Sequence, residues 1–350
     1  MADSNAPHDS NMHDSGYVCV PPTSKGRARK SILDAPRFSP FRYRRMLLPT
    51  QAITEFVNAI ADWIRTGTPG ALVYAHSRFG KTSSIKYMCQ FLNLLLGIHW
   101  PVFSITCANN RGQRPGSYYE HILEDLCFVA PANGRVADKR RSILNTIEAA
   151  CIHRDAYNFI LFVDEVQAMT EDQWGYLLEL YNQFERRDLQ PLVILVGQHE
   201  AKDIPGVIRG TNRWPVLGRF MQEVYPFRGV ESADDLKRLL RSYDEDSAAL
   251  DTDNRPITRI ALPKAYHNGL RLEAVAEEVW HGLTTARETR MPDSPLKSYP
   301  MPVITAGVLG TLSLIASRDA PNYIPSRKDF KRGFLSRGGG LLNVDYDRRV

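Results

Sequence analysis

Ala-Leu-Val-Tyr-Ala-His-Ser-Arg-Phe-Gly-Lys-Thr-Ser, residues 71–83, decides how this chain is read. Residues 71–74 form a short buried strand by their apolar character, and Gly80-Lys81-Thr82 opens a helix running toward Leu96. A strand, a tight loop and a helix that begins Gly-Lys-Thr make a cradle for phosphate. The free amide N–H groups of such a loop and the positive end of the helix dipole point at one spot. On this reading His76, Ser77, Arg78, Phe79, Gly80, Lys81, Thr82 and Ser83 surround the phosphates. Lys81 reaches the β- and γ-phosphates, and the Thr82 hydroxyl ligates Mg²⁺. The pattern departs from the usual one at its first position, where Ala75 stands in place of glycine and the bulky His76, Arg78 and Phe79 follow. A Cβ resists positive φ, so the expectation is a wider or differently bent loop.

Phe159-Ile160-Leu161-Phe162-Val163-Asp164-Glu165 is the second decisive stretch. A continuous apolar run reads as a strand buried on both faces of a parallel sheet. It delivers two carboxylates to the strand's C-terminal end, where open α/β sheets hold their ligands. Asp164 is expected to hold Mg²⁺, directly or through water, and Glu165 to polarise an attacking water as general base. Residues 191–197 form the next buried strand and bring Gln198 to the same edge, where its amide can orient the water or touch the γ-phosphate.

Around these strands the chain divides in order. Residues 1–24 are polar and read as disordered. Residues 25–49 form a basic arm with interleaved aromatics, which suits a nucleic-acid or partner contact as well as a solvated arm. An α/β core spans 50–230, with Thr50 as a helix cap, a strand at 101–106, helices at 117–129, 136–152 and 170–187, and a last strand at 223–227. The charge-dense stretch 208–220 follows the third functional strand, where an arginine that stabilises transition-state charge in trans is expected. Arg219 is the first candidate and Arg213 the second. A helical lid region spans 231–317, with a helix from 268 to 281 that puts Arg271 at its start, able to fold onto the γ-phosphate, and a last helix at 304–317. Residues 318–350 read as a basic flexible tail.

Composition is that of an ordinary globular protein, and the net charge of +5 is too mild to demand a polyanionic partner by itself. The five cysteines show no paired spacing, and their odd number fits reduced thiols in a cytosol. No metal-ligand cluster of His and Cys, no signal-peptide core and no apolar run of membrane-spanning length is found in the sequence. The expectation is a cytoplasmic protein without a membrane partner.

The order of cradle strand, intervening strand, Asp-Glu strand, polar-tipped strand, arginine segment and helical region resembles the AAA+ ATPases. More narrowly, the basic arm, Phe-Val-Asp-Glu-Val-Gln (162–167), Leu-Val-Gly-Gln (195–198) and Asn-Gly-Leu-Arg (268–271) look like the TniB/TnsC family of transposition regulators. The resemblance implies an α/β P-loop NTPase of AAA+ type, with a parallel five-stranded sheet flanked by helices and a small helical C-terminal lid. It implies that Lys81 and Thr82 take the Walker A positions, Asp164 and Glu165 Walker B, Gln198 the first sensor and Arg271 the second, while Arg219 fits the arginine finger by position. It further implies ATP and Mg²⁺ as cofactors and a homo-oligomeric ring or helical filament on duplex DNA. Such a filament links a TniQ-like target selector to a transposase, and hydrolysis disassembles it. Sequence-independent DNA contacts are expected from Arg111 and Arg114 on the loop after the second strand, with Lys139, Arg140 and Arg141 as a weaker set. Two alternatives stand beside this one: a weakly hydrolysing ATP-switch scaffold, and a signalling or defence NTPase on the same core.

Overall fold

The first helix, α1 (Gln51–Thr66), begins at the expected cap: the Thr50 hydroxyl accepts from the Ile53 N–H at 3.1 Å. Its buried face carries Ala52, Ile53, Phe56, Val57, Ile60 and Trp63, the spacing of one helical stripe. Gly67, at φ 68°, ends it. The computed structural model from which this geometry is taken describes residues 48–107, 114–128, 134–245, 255–292, 297–337 and 342. The polar N-terminus, nearly all of the basic arm, and Arg111 lie outside the described residues.

Five strands follow: β1 (Gly70–Ala75), β2 (Val102–Thr106), β3 (Asn158–Asp164), β4 (Gln190–Gln198) and β5 (Glu223–Pro226). They form one sheet in the order β2-β3-β4-β1-β5, every pair parallel. Parallel neighbours require crossovers, and these are α2 (Lys81–Leu96), α3 (Pro115–Asp125) with α4 (Val136–His153), α5 (Glu171–Glu185), and α6 (Ile204–Gly210) with α7 (Trp214–Phe220). Alternate strand residues feed two cores. Val73, Ile160, Phe162, Ile194 and Val196 pack on one side with α1, α2 and the C-terminal helices. Leu72, Phe159, Leu161, Val163, Val193 and Leu195 pack on the other with α3 to α7. Burial on both faces is why these strands read as continuous apolar runs rather than alternating ones. Each such side chain contributes roughly 1.5–3 kcal/mol. The registers Ala75↔Gln198 and Thr106↔Asp164 align the strand ends that carry the polar residues.

After β5 the chain is helical: α8 (Ala233–Asp244), α9 (Ile257–Ala261), α10 (Pro263–His267), α11 (Ala276–Arg290), α12 (Met301–Ile315) and α13 (Arg327–Arg337). Three expectations are corrected here. Residues 318–350 are not a flexible tail throughout: α13 buries Phe330 and Phe334 completely against α11 and α12, and Leu342 is buried as well. The approach is so close that a Cβ on Gly307 would lie 1.8 Å from the Phe334 ring, and one on Gly333 1.9 Å from the Thr311 hydroxyl. The helix expected to start at 268 starts at Ala276 instead. Gly269, at φ 98°, turns the chain away from α10, and the Asp244 carboxylate takes the N–H groups of Leu272 and Glu273 at 3.0 Å each, fixing a turn. Finally, Met301–Arg318 is long and apolar enough to cross a membrane by length and composition, with mean hydropathy 1.4 over 18 residues, against the expectation that no run reaches that length. Val303, Ile304, Val308 and Leu312 of this helix are fully buried in the protein core, which accounts for its apolar character.

Arg228, on the segment from β5 to α8, ties core to lid. Its guanidinium donates to Glu55 of α1 at 2.7 and 2.8 Å and to Asp235 of α8 at 2.8 and 3.1 Å. These bonds hold the Glu55 and Asp235 carboxyls below the usual carboxylate range, against the opposing effect of their burial.

Candidate functional site

β1 ends at Ala75 and α2 starts at Lys81, so residues 76–80 form the loop between them. Ala75 causes none of the expected trouble. It is the last residue of the strand and is buried, and the left-handed conformations fall instead on Arg78 (φ 67°) and Gly80 (φ 96°). Glycine meets the second without strain. Arg78 adopts the first at a cost of order 1 kcal/mol or more, the kind of strain that concentrates at functional loops. Ser77, Arg78, Thr82 and Ser83 are exposed, whereas Phe79 turns its ring into the core. His76 stacks on His199 from the loop after β4, with ring centroids 4.2 Å apart and planes at 8°.

Lys81 folds back over this loop. Its ammonium donates to the carbonyls of Ala75 at 2.9 Å and His76 at 3.0 Å. Burial pulls the Lys81 pKa down, and the nearby Glu165, Asp164 and Glu200 charges oppose that shift. The Thr82 hydroxyl donates to Asp164 Oδ2 at 2.8 Å. Residues 82 positions apart are thus joined at the tips of β1 and β3, as the phosphate-cradle reading requires. Burial raises the Asp164 pKa, while the bonds from Thr82 and from the Glu165 N–H lower it. A buried carboxylate beside a hydroxyl, both hard oxygen donors, suits Mg²⁺, which takes one or two protein ligands and completes its shell with phosphate and water. Among the described residues no group of three His, Cys, Asp or Glu side chains could hold a metal alone.

Glu165 stands at φ 60°, the left-handed region that non-glycine residues rarely enter. Its carboxylate accepts from the side-chain amide of Gln198 at 3.3 Å and from that of Gln167. The Gln167 side-chain Oε1 in turn accepts from the Gln198 backbone N–H at 2.9 Å. Gln167 therefore bridges the tips of β3 and β4. Sequence reasoning gave this residue no role; its signal is an amide two residues after the second acid, on the short turn Val166–Ala168.

The three arginines are not part of this cluster. Arg219 bonds Glu185 at 3.1 Å and lies 5.3 Å from the Tyr181 ring centre, both partners on α5. Its backbone abuts Gly70, at the start of β1, and the cradle follows the end of that strand, about 16 Å away at 3.3 Å per residue. Within one chain Arg219 is at the wrong edge of the sheet for its own cradle. Arg213 is held by Glu171, through its carbonyl oxygen and its carboxylate. Arg271 lies over the Tyr266 ring at 3.9 Å and donates to the carbonyls of Tyr266 and Leu270. The lid contact to the cradle comes from Met301, the first residue of α12, whose side chain packs 3.5 Å from the Cβ position of Gly80. Arg114 is exposed just before α3. Of the weaker set, Lys139 is buried in an ion pair with Glu120 at 2.8 Å and Arg140 is paired with Glu179, so both are structural, while Arg141 is exposed.

Residues 65–204 match the family model described as an AAA domain. Among solved structures, the chain is similar to the ORC2 protein of Aeropyrum pernix in its ADPNP–ADP complexes, at 10% identity and a TM-score of 0.50, over 84% of this chain and 72% of that one. It is similar at lower scores to A. pernix ORC1 in complex with DNA (13% identity, TM-score 0.40, covering 87% and 88%) and to domain III of the Thermotoga maritima replication initiation protein DnaA (12%, 0.38, 90% and 100%). No match to a curated protein sequence was found. The fold is the AAA+ P-loop fold, a five-stranded parallel sheet flanked by helices. The matched AAA domain runs from the end of α1 to the start of α6, and the helical region after β5 lies beyond it.

Proposed function

We propose that this chain is an ATP-hydrolysing, DNA-binding regulator of transposition. It would assemble as a homo-oligomer on duplex DNA and couple a TniQ-like target selector to a transposase, with hydrolysis driving disassembly. The observation that carries the nucleotide part is the Thr82–Asp164 bond of 2.8 Å beside Lys81 and Glu165. One cation, two candidate magnesium ligands and one candidate general base converge where α2 begins and β3 ends, on either side of the β4 tip. Lys81 exchanges its two carbonyl partners for β- and γ-phosphate oxygens. Thr82 and Asp164 would hold Mg²⁺, which when bound would supply neutralisation of the phosphate charge. Glu165, steadied by Gln198 and Gln167, takes the proton of the attacking water. The transposition part rests on the resemblance carried by residues 162–167, 195–198 and 268–271. Arg114, with Arg111, supplies backbone contacts to DNA. Arg219 would serve a neighbouring subunit's site, and to do so must leave Glu185.

Glu165→Gln keeps the shape of the side chain and removes its basicity. Turnover should fall by about 10²- to 10⁴-fold while ATP binding persists, and ATP-bound assemblies on duplex DNA should outlive those of the wild type. Wild-type turnover in this variant would refute the catalytic assignment. A second reading, an ATP switch that barely hydrolyses, is favoured by the two amides that occupy Glu165. In that case the variant and the wild type form assemblies of equal lifetime.

A further inference from the structure

The basic residues after position 318 were not absorbed by the nucleotide site, and α13 gives most of them a defined geometry. At 100° per residue, Arg327, Lys331, Lys328 and Arg332 fall within an arc of roughly 140°, and the buried Phe330, Gly333 and Phe334 fall outside it. Arg327, Lys328 and Arg332 are exposed and Lys331 is half-buried. Among the described residues no hydrogen bond or salt bridge engages these four side chains. The helix's one acid, Asp329, is off that arc and is spent on Arg318, Tyr323 and Ser326. The cationic face continues into a groove of about 750 Å³ between α10, α11 and the segment before α13. Its polar lining includes Asn268, Arg271, Asn322, Ser326 and Arg327, with one carboxylate, Glu278.

We propose that this face of α13 and the adjoining groove bind the phosphate backbone of duplex DNA. Four cations along one side of a helix, none of them paired with an acid among the described residues, repel one another, and the core packing of Phe330 and Phe334 holds them there. The fitting partner carries dense negative charge along a line. An 11-residue helix is about 16 Å long, and a duplex presents roughly nine backbone charges over that length. The Arg and Asn groups of the groove extend the contact with planar donors suited to phosphate oxygens. This assignment rests on the duplex-binding reading above and locates part of that contact on the C-terminal helices.

The test is the full chain with Arg327, Lys328, Lys331 and Arg332 all changed to Gln, measured by anisotropy against a labelled duplex across a salt series. Affinity should fall about tenfold or more, and the slope of log K against log salt should shrink by about 0.9 for each phosphate that is no longer neutralised. Nucleotide binding and melting temperature should match the wild type. The charge-keeping pair Arg327→Lys and Arg332→Lys should retain most of the affinity. An unchanged affinity and slope in the Gln variant, while the wild type binds duplex, overturns the inference alone. A wild type that binds no duplex in any nucleotide state overturns the DNA-binding reading with it. Loss of binding to poly-glutamate with duplex affinity kept also overturns the inference, in favour of an acidic protein partner.

Discussion

Thr82→Val removes one hydroxyl without changing the shape of the side chain. In the wild type that hydroxyl donates to Asp164 Oδ2 at 2.8 Å, and the Asp164 carboxyl is already raised above 3.8 by burial. A hydrogen bond to a charged group contributes about 1.5–3 kcal/mol. Because Thr82 is exposed, we take the lower part of that range, about 1.5–2 kcal/mol, which for a chain of 350 residues corresponds to a fall in melting temperature of roughly 2–3 °C. The pH dependence follows from the sign of the shift. Without Thr82 the folded-state pKa of Asp164 rises further, so the variant's deficit is complete above that pKa and shrinks as pH falls toward 3.8. Thr82→Ser should show no such deficit. With MgATP a second loss is expected if, as proposed, the hydroxyl would also ligate the metal. Saturating nucleotide at a hundred times its Kd adds about 2.7 kcal/mol to a protein that binds it, and the valine variant should lose most of that increment. Differential scanning fluorimetry at pH 5 and pH 8, with and without MgATP, measures all of this. No deficit at pH 8, or an equal MgATP shift in both proteins, would refute the reasoning.

Gln167→Ala removes one of the two amides that hold the Glu165 carboxylate; turnover should drop by about fivefold or more with MgATP affinity nearly unchanged, read from kcat and from nucleotide titration. Gly307→Ala forces a methyl into the Phe334 ring; the expected cost is about 1–3 kcal/mol, seen as a lower melting temperature and earlier proteolytic cutting around α13. A wild-type melting curve for that variant would contradict the packing described for the lid.

The sheet was legible because burial on both faces leaves a mark that a single sequence carries: uninterrupted apolar runs at 159–163 and 191–196, ending in polar residues. The placing of Lys81 and Thr82 at a helix start and of Asp164 and Glu165 at a strand end was legible because local pattern alone fixes each of them. Arg219 and Arg271 were not. A charged side chain on the surface takes the partner that tertiary packing offers, and Glu185, 34 residues from Arg219, or the Tyr266 ring gives no local sign of that pairing. Ala75 looked like a defect because the left-handed residues of the loop could not be assigned by counting from the lysine. In α13 the two phenylalanines at i and i+4 did signal a buried face, but four cations among them masked it as a tail.

Arg228 grips α1 with one side of its guanidinium and α8 with the other. Four charge-assisted bonds meeting on one planar group act as a rivet across the joint between sheet and lid. A lid that answers to nucleotide must then rock about this point rather than lift away from it. In such a rocking motion the parts farthest from Arg228 would travel the longest path, so a small change beside the cradle would be felt most at the far end of the helical region.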